Sequence, residues 1–283
     1  MPNEPSFLDV DGFRLGYSSE GTGPTAIFIG SGVYYPRTFS QNLRSHLRLV
    51  FMDHRGFGKA LAPFMTDSFE LDQIIDDIEV LRKKLELDKV ILVGHSGQGY
   101  MALEYAKKHP DNVSHIVLIA MSPDSSPSSF AAADHYFSES ACPERKALLA
   151  QNLATLEAEM AANPERAFIT RMLKFGPMIW YKYDFDASAL WKDVEVIPEM
   201  FDYVWGKIFR EMDVMAGVEK LKMPVFLGLG RYDYWKPPHL WEPVRPKFSD
   251  MTVRVFEKSG HTPQLEESRA FDRELLSWLG IKA

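Results

Sequence analysis

Ser96 stands in Val90-Ile91-Leu92-Val93-Gly94-His95-Ser96-Gly97-Gln98-Gly99, where an unbroken apolar run gives way to glycines and then to a helical pattern. A serine at a strand-to-helix junction can be held in a strained backbone conformation that exposes its hydroxyl, and small neighbours let adjacent backbone come close. The helix that starts there aims unpaired N–H groups at negative charge developing beside the serine, and the N–H of Gly97 is the expected first donor to an oxyanion. The plainer role for such a serine is to cap the helix. A hydroxyl is a weak nucleophile and requires a base. His261 meets that need by position, following the apolar run 253–256 and preceding the last helical pattern, in Ser259-Gly260-His261-Thr262-Pro263. His95 and His54 are its competitors; His46, His109, His115 and His239 flank strands or helix ends.

The elements that must position these residues follow a regular rhythm. Phe7, Leu8, Val10, Phe13, Leu15 and Tyr17 surround Asp11-Gly12 as two short strands joined by a tight turn. The apolar run at 26–29 reads as a strand buried on both faces, 49–52, 89–93 and 113–120 read as further strands, and helices are predicted over 71–87 and 97–108. Alternation of strand and helix predicts an α/β fold with a mostly parallel central sheet flanked by helices. From Ser122 to about Gly217 the pattern turns helical and proline-punctuated, so residues 122–217 read as an inserted helical cap. The core would then comprise residues 1–121 and 218–283, closing with strands at 225–229 and 253–256, a helix after Pro237-Pro238 and a helix over 266–279.

Composition narrows the partners. The chain has 283 residues, 46% hydrophobic and 25% charged, the balance of a globular protein. A net charge of -7, with its basic residues scattered, argues against nucleic acid. The single cysteine, Cys142, excludes an internal disulfide and any multi-cysteine metal site. The N-terminus lacks a signal-peptide pattern, and no apolar run approaches the roughly 20 residues that span a bilayer. These features predict a cytoplasmic protein that acts on a small molecule without metal or organic cofactor, away from membranes.

The elbow around Ser96 resembles that of the α/β-hydrolase superfamily, G-x-S-x-G and often Gly-His-Ser-x-Gly-Gly, with Gln98 standing where the second glycine is expected. The Ser-Gly-His segment ending at His261 is similar to the loop that carries the superfamily's base. Gly228-Leu229-Gly230-Arg231-Tyr232-Asp233 resembles the G-x-x-D segment that carries its acid, and lies 28 residues before His261. The resemblance therefore implies a Ser96, His261, Asp233 triad, with Asp124 as the alternative acid. It also implies a second oxyanion donor from Gly30-Ser31-Gly32-Val33, with Gly32 the expected residue, although Gly30 replaces the usual histidine. Asp53-His54-Arg55-Gly56-Phe57-Gly58-Lys59-Ala60 is similar to the structural D-x-R-G-x-G-x-S loop, with Ala60 for its serine.

Residues 175–209 hold ten aromatic side chains, and in this superfamily such inserts form caps over the serine. Tyr34, Tyr35, Trp180, Tyr183 and Trp205 are candidate pocket residues. The implied activity is hydrolysis of an ester, lactone or related acyl bond of a small to medium apolar substrate, through an acyl-enzyme. The alternatives are a prolyl iminopeptidase-like aminopeptidase, with Asp184, Asp186, Glu195 and Glu199 to hold an amine, a non-hydrolytic relative (carbon-carbon hydrolase, lyase or perhydrolase), or a ligand receptor.

Overall fold

The computed structural model describes residues 6–282. The chain opens as the hairpin that Asp11-Gly12 predicts. β1 (Ser6–Val10) and β2 (Phe13–Glu20) pair antiparallel, with Asp11 and Gly12 at φ +46° and +82°. Two positive φ values give the short loop the same twist as the strands it joins, so the pair stays in register. There follow β3 (Thr25–Gly30), β4 (Arg48–Asp53), β5 (Lys59–Ala60), β6 (Val90–His95), β7 (Val113–Ile119), β8 (Val225–Gly230) and β9 (Met251–Phe256). They form one sheet in the order β1-β2-β4-β3-β6-β7-β8-β9, with β5 attached to β2. Pairings among β3, β4 and β6 to β9 are parallel, and those of β2 are antiparallel.

β6 and β8 are buried along their whole length, because helices cover both faces, and this is why they read as continuous apolar runs. Alternate side chains serve opposite cores. Ile27 and Ile29 join Ile74 and Ile78 of helix Leu71–Lys84 and Met101 of helix Gln98–Lys108; Ala26 and Phe28 join Phe271 and Leu275 of helix Ser268–Trp278. The strand order reverses beside β3: the chain steps out to β4 and returns to β6 on the other side. A crevice opens at the carboxyl ends of strands flanking such a reversal. Gly30 ends β3 there, and His95 ends β6 one residue before Ser96.

Between β7 and β8 the described chain forms no strand. Helices Pro127–Ser140, Pro143–Ala162, Ala167–Lys174, Gly176–Ile179 and Pro198–Tyr203 lead into a π-helical turn, Val204–Ile208, and a last short turn, Phe209–Glu211. Pro127, Pro143, Pro177 and Pro198 sit in first turns, where the missing N–H is no loss, so they start helices instead of interrupting them.

Three boundaries differ from expectation. The helix predicted over 71–87 stops at Lys84, with Glu86 at φ +52°. The helix expected after Pro237-Pro238 is a pair of 3-10 turns, Pro238–Trp241 and Arg245–Lys247, because Pro243 and Pro246 remove the donors an α-helix needs. The closing helix is split into Pro263–Glu266 and Ser268–Trp278 by Glu267, whose φ of -125° is not helical. No helix among the described residues is long and apolar enough to cross a membrane.

Candidate active site

Ser96 has φ +56°, a left-handed conformation that an L-residue adopts only under constraint. The constraint is visible on both sides. Its N–H donates to Ile119 O on β7 at 2.8 Å, and a Cβ on Gly94 would come within 2.6 Å of the Gly99 Cα. Gly99 is required in turn because Met121 lies where its Cβ would be. The turn lifts Ser96 into a cavity of about 580 Å3 that His261 also lines.

Asp233 is fully buried, and its Oδ2 lies 2.7 Å from His261 Nδ1. Its other oxygen accepts the N–H groups of Trp235 and Lys236 at 3.0 and 2.9 Å, so the loop after β8 holds the carboxylate from behind. An acid in that place fixes the imidazole with Nε2 free for a proton from a nucleophile. The histidine is anchored through its main chain: His261 N–H donates to Ile179 O at 2.6 Å, and Glu266 accepts from Gly260, Thr262 and Tyr181 N–H. Burial pushes the Glu266 carboxyl up to about 7. Its position five residues beyond the histidine offered no sequence signal for this bracing role.

The competing residues are engaged elsewhere. His95 Nδ1 lies 3.0 Å from the Tyr35 hydroxyl and its Nε2 2.6 Å from His261 O, while His54 Nδ1 accepts Gly56 N–H at 3.1 Å. Burial drives both imidazoles down to about 3, so they are neutral at ordinary pH. Asp124 accepts from Ser126 N–H and Ser129 Oγ at 2.9 and 2.6 Å, away from His261.

The two departures in the motifs meet in space. Gly30 has φ +154°, and the Tyr35 ring fills the place of its missing side chain, with Cδ2 2.7 Å from where a Cβ would be. The Tyr35 hydroxyl also lies 3.3 Å from one end of the Gln98 side-chain amide, whose other end lies 3.4 Å from His54 Nε2. Tyr35, His95, Gln98 and His54 thus form a buried polar chain, the first three of them in the cavity wall.

The expected second oxyanion donor is corrected. Gly32 N–H donates to Asp53 Oδ1 at 2.6 Å, which draws the loop after β3 toward β4, and Gly32 is not among the cavity-lining residues. Asp53 also accepts Gly16 N–H at 2.9 Å, and burial raises its carboxyl to about 7. Gly97 does line the cavity, and its N–H has no acceptor among the described residues.

Tyr34, Tyr35, Trp180 and Trp205 line the cavity; Tyr183 does not, lying 5.2 Å from the Arg145 guanidinium instead. Asp184, Asp186, Glu195 and Glu199 are exposed and outside it. Sequence reasoning missed the charged part of the wall, which includes Arg171, Arg210 and Lys236 as well as Asp134, Glu157 and Asp202. The Lys236 ammonium lies 5.3 Å from the Phe130 ring, and desolvation lowers its pKa.

A family model described as alpha/beta hydrolase fold matches residues 27–268. The chain is 38% identical over 270 residues to the AB hydrolase superfamily protein YclE of Bacillus subtilis (strain 168), covering 95% of this chain and 96% of that protein. Among solved structures, proline iminopeptidase from Mycobacterium smegmatis is similar with TM-score 0.74 and 14% identity, covering 98% of each chain. The esterase EaEST from Exiguobacterium antarcticum gives TM-score 0.70 and 22% identity, covering 98% of this chain and all of the other. At such identities the two structures speak for the fold alone. The family match over most of the length, together with the Bacillus subtilis relative, shows that this chain belongs to the α/β-hydrolase fold family.

Proposed function

We propose that the chain is a carboxylesterase-like serine hydrolase that cleaves an ester, lactone or related acyl bond of a small to medium, largely apolar substrate. The observation that carries the reading is the 2.7 Å contact between buried Asp233 and His261, in a cavity that the strained Ser96 shares. His261 Nε2 takes the Ser96 proton as Oγ attacks the carbonyl carbon, and Gly97 N–H receives the carbonyl oxygen as its charge develops. When the tetrahedral intermediate collapses, the imidazolium returns the proton to the leaving alkoxide. Water, deprotonated by the same imidazole, then releases the acid and regenerates the serine hydroxyl. We take residues 122–217 as a cap whose Phe168, Trp180, Trp191 and Phe201 give the cavity an apolar wall, which suits an apolar acyl or alcohol group and sheds water.

The iminopeptidase reading keeps the support of a neighbour with that name, but the four cap acids expected to hold an amine lie outside the cavity. The test is a series of p-nitrophenyl esters of rising acyl length beside proline p-nitroanilide. Ester turnover with an optimum in chain length supports the proposal. Turnover of the anilide alone replaces it with the aminopeptidase, and a ligand-induced rise in Tm without turnover of any substrate replaces it with a receptor.

A further inference from the structure

Acyl transfer at Ser96, the reading on which this inference rests, calls for a second donor at the oxyanion beside Gly97 N–H. In the loop after β3, Ser31 does not line the cavity and the next four N–H groups are engaged. Gly32 N–H is spent on Asp53, Val33 and Tyr34 N–H on Ser31 Oγ at 3.2 and 3.1 Å, and Tyr35 N–H on Ser31 O at 3.1 Å.

Another donor lies against Gly97. Trp205 belongs to the π-helical turn Val204–Ile208, a geometry that occurs mostly as single turns and often at functional sites. Its indole packs onto Gly97 so closely that a Cβ there would strike the Nε1, Cε2, Cζ2 edge, with Cε2 2.6 Å away. That edge carries the ring N–H, which has no acceptor among the described residues, and Trp205 lines the cavity. The ring is held by Phe201, Phe209 and His54, with centroids 4.9, 5.0 and 5.8 Å distant.

We propose that the indole N–H of Trp205 is the second oxyanion donor, supplied by the insert in place of the loop amide that Asp53 captures. A glycine after the nucleophile is what admits the indole. A carbonyl oxygen about 2.9 Å from Gly97 N–H is within reach of a donor packed on the same residue. The oxyanion site is therefore complete only when the insert sits on the core.

Trp205→Phe keeps an aromatic ring on Gly97 and removes the N–H. The expected result is a kcat lower by roughly a hundredfold with KM changed less than about threefold. Affinity for a trifluoromethyl ketone, which forms a hemiketal oxyanion with the serine, should fall in parallel. In wild-type protein carrying 15N-labelled tryptophan, the indole proton missing from the Trp205→Phe spectrum should move downfield when that ketone binds. An unchanged kcat, a loss confined to KM, or an indole resonance that does not move would overturn the proposal. If the variant fails to fold, the Trp205 indole proton is assigned in the labelled wild type by its cross-peak to Gly97, against which it packs, and the test stays decisive. Labelling of Ser96 by a fluorophosphonate in wild type separates the two readings: labelling with a silent Trp205 removes only this one, and no labelling removes the hydrolase.

Discussion

The Tyr35 hydroxyl lies 3.0 Å from His95 Nδ1, and the ring reaches that point only because Gly30 has no side chain. His95 passes the contact on through Nε2 to His261 O at 2.6 Å, so the residue that replaces a missing side chain at the end of β3 also steadies the histidine loop. Gln98, the other departure from the motif, approaches the same hydroxyl at 3.3 Å.

Tyr35→Phe leaves His95 Nδ1, and the end of the Gln98 amide that faces it, without a buried partner and should cost about 1–2 kcal/mol in urea unfolding. Gln98→Ala should cost a similar amount. Because both act on one hydrogen-bonded chain, the double variant should fall short of the sum by at least about 0.5 kcal/mol. Strict additivity would show that the two departures are independent.

Arg55 is 1% exposed and spends its guanidinium on Asp77 at 2.7 and 2.8 Å, Asp11 at 2.9 Å, Ser68 O at 2.7 Å and Gln73 at 2.9 Å. It ties the loop after β4 to the hairpin and to helix Leu71–Lys84. Asp77→Ala leaves that charge buried beside an empty place, and should lower stability by about 3 kcal/mol in chemical denaturation. A loss below about 1 kcal/mol would mean that the remaining acceptors hold Arg55 alone.

Burial raises the Glu266 carboxyl from 4.5 to about 7, so between those values the folded chain holds a proton that the unfolded chain has released. That contribution is full below about pH 4.5 and is lost as pH rises through about 7. Asp53 acts in the same sense between 3.8 and about 7. His54 and His95, held down near 3, act in the opposite sense, stabilising above 6.5 and losing that effect as pH falls. The opposed contributions flatten the wild-type profile, but Glu266→Gln isolates one of them. Relative to wild type, the variant should gain about 2 kcal/mol in unfolding free energy between about pH 5 and pH 8. A constant difference across that range would place the carboxyl at an ordinary pKa.

Tyr183 sits over Arg145 and outside the cavity, whereas Trp180 lines it. Tyr183→Leu should therefore leave kcat/KM for every ester within about twofold, at a stability cost near 1 kcal/mol from the lost cation-aromatic contact. Trp180→Leu should alter the acyl-length preference. Equal kinetic effects from both substitutions would contradict the assigned cavity wall.

Much of the fold was legible because its signals are local. Asp11-Gly12 marks a hairpin through backbone chirality, and the apolar runs of β3, β6 and β8 mark strands covered on both faces. Ser96, Asp233 and His261 could be proposed as a set because motifs that resemble the superfamily's carry them, each shortly after a strand, and parallel strands deliver their ends to one edge of the sheet. What failed depended on contacts distant in sequence. Nothing near Gly32 indicates that Asp53, 21 residues on, would take its N–H. Tyr183 shares the aromatic character of Trp180, and only the packing of Arg145 separates them. The helix expected after Pro238 was a local misreading, since Pro243 and Pro246 were in view.

Whether Ser96 is a nucleophile activated by His261 is decided by mass spectrometry of the protein after reaction with a fluorophosphonate. One adduct is expected, mapped to the peptide containing Ser96, absent from Ser96→Ala and slower by at least about a thousandfold in His261→Ala. An adduct on another residue, or ester turnover that survives Ser96→Ala, would contradict it.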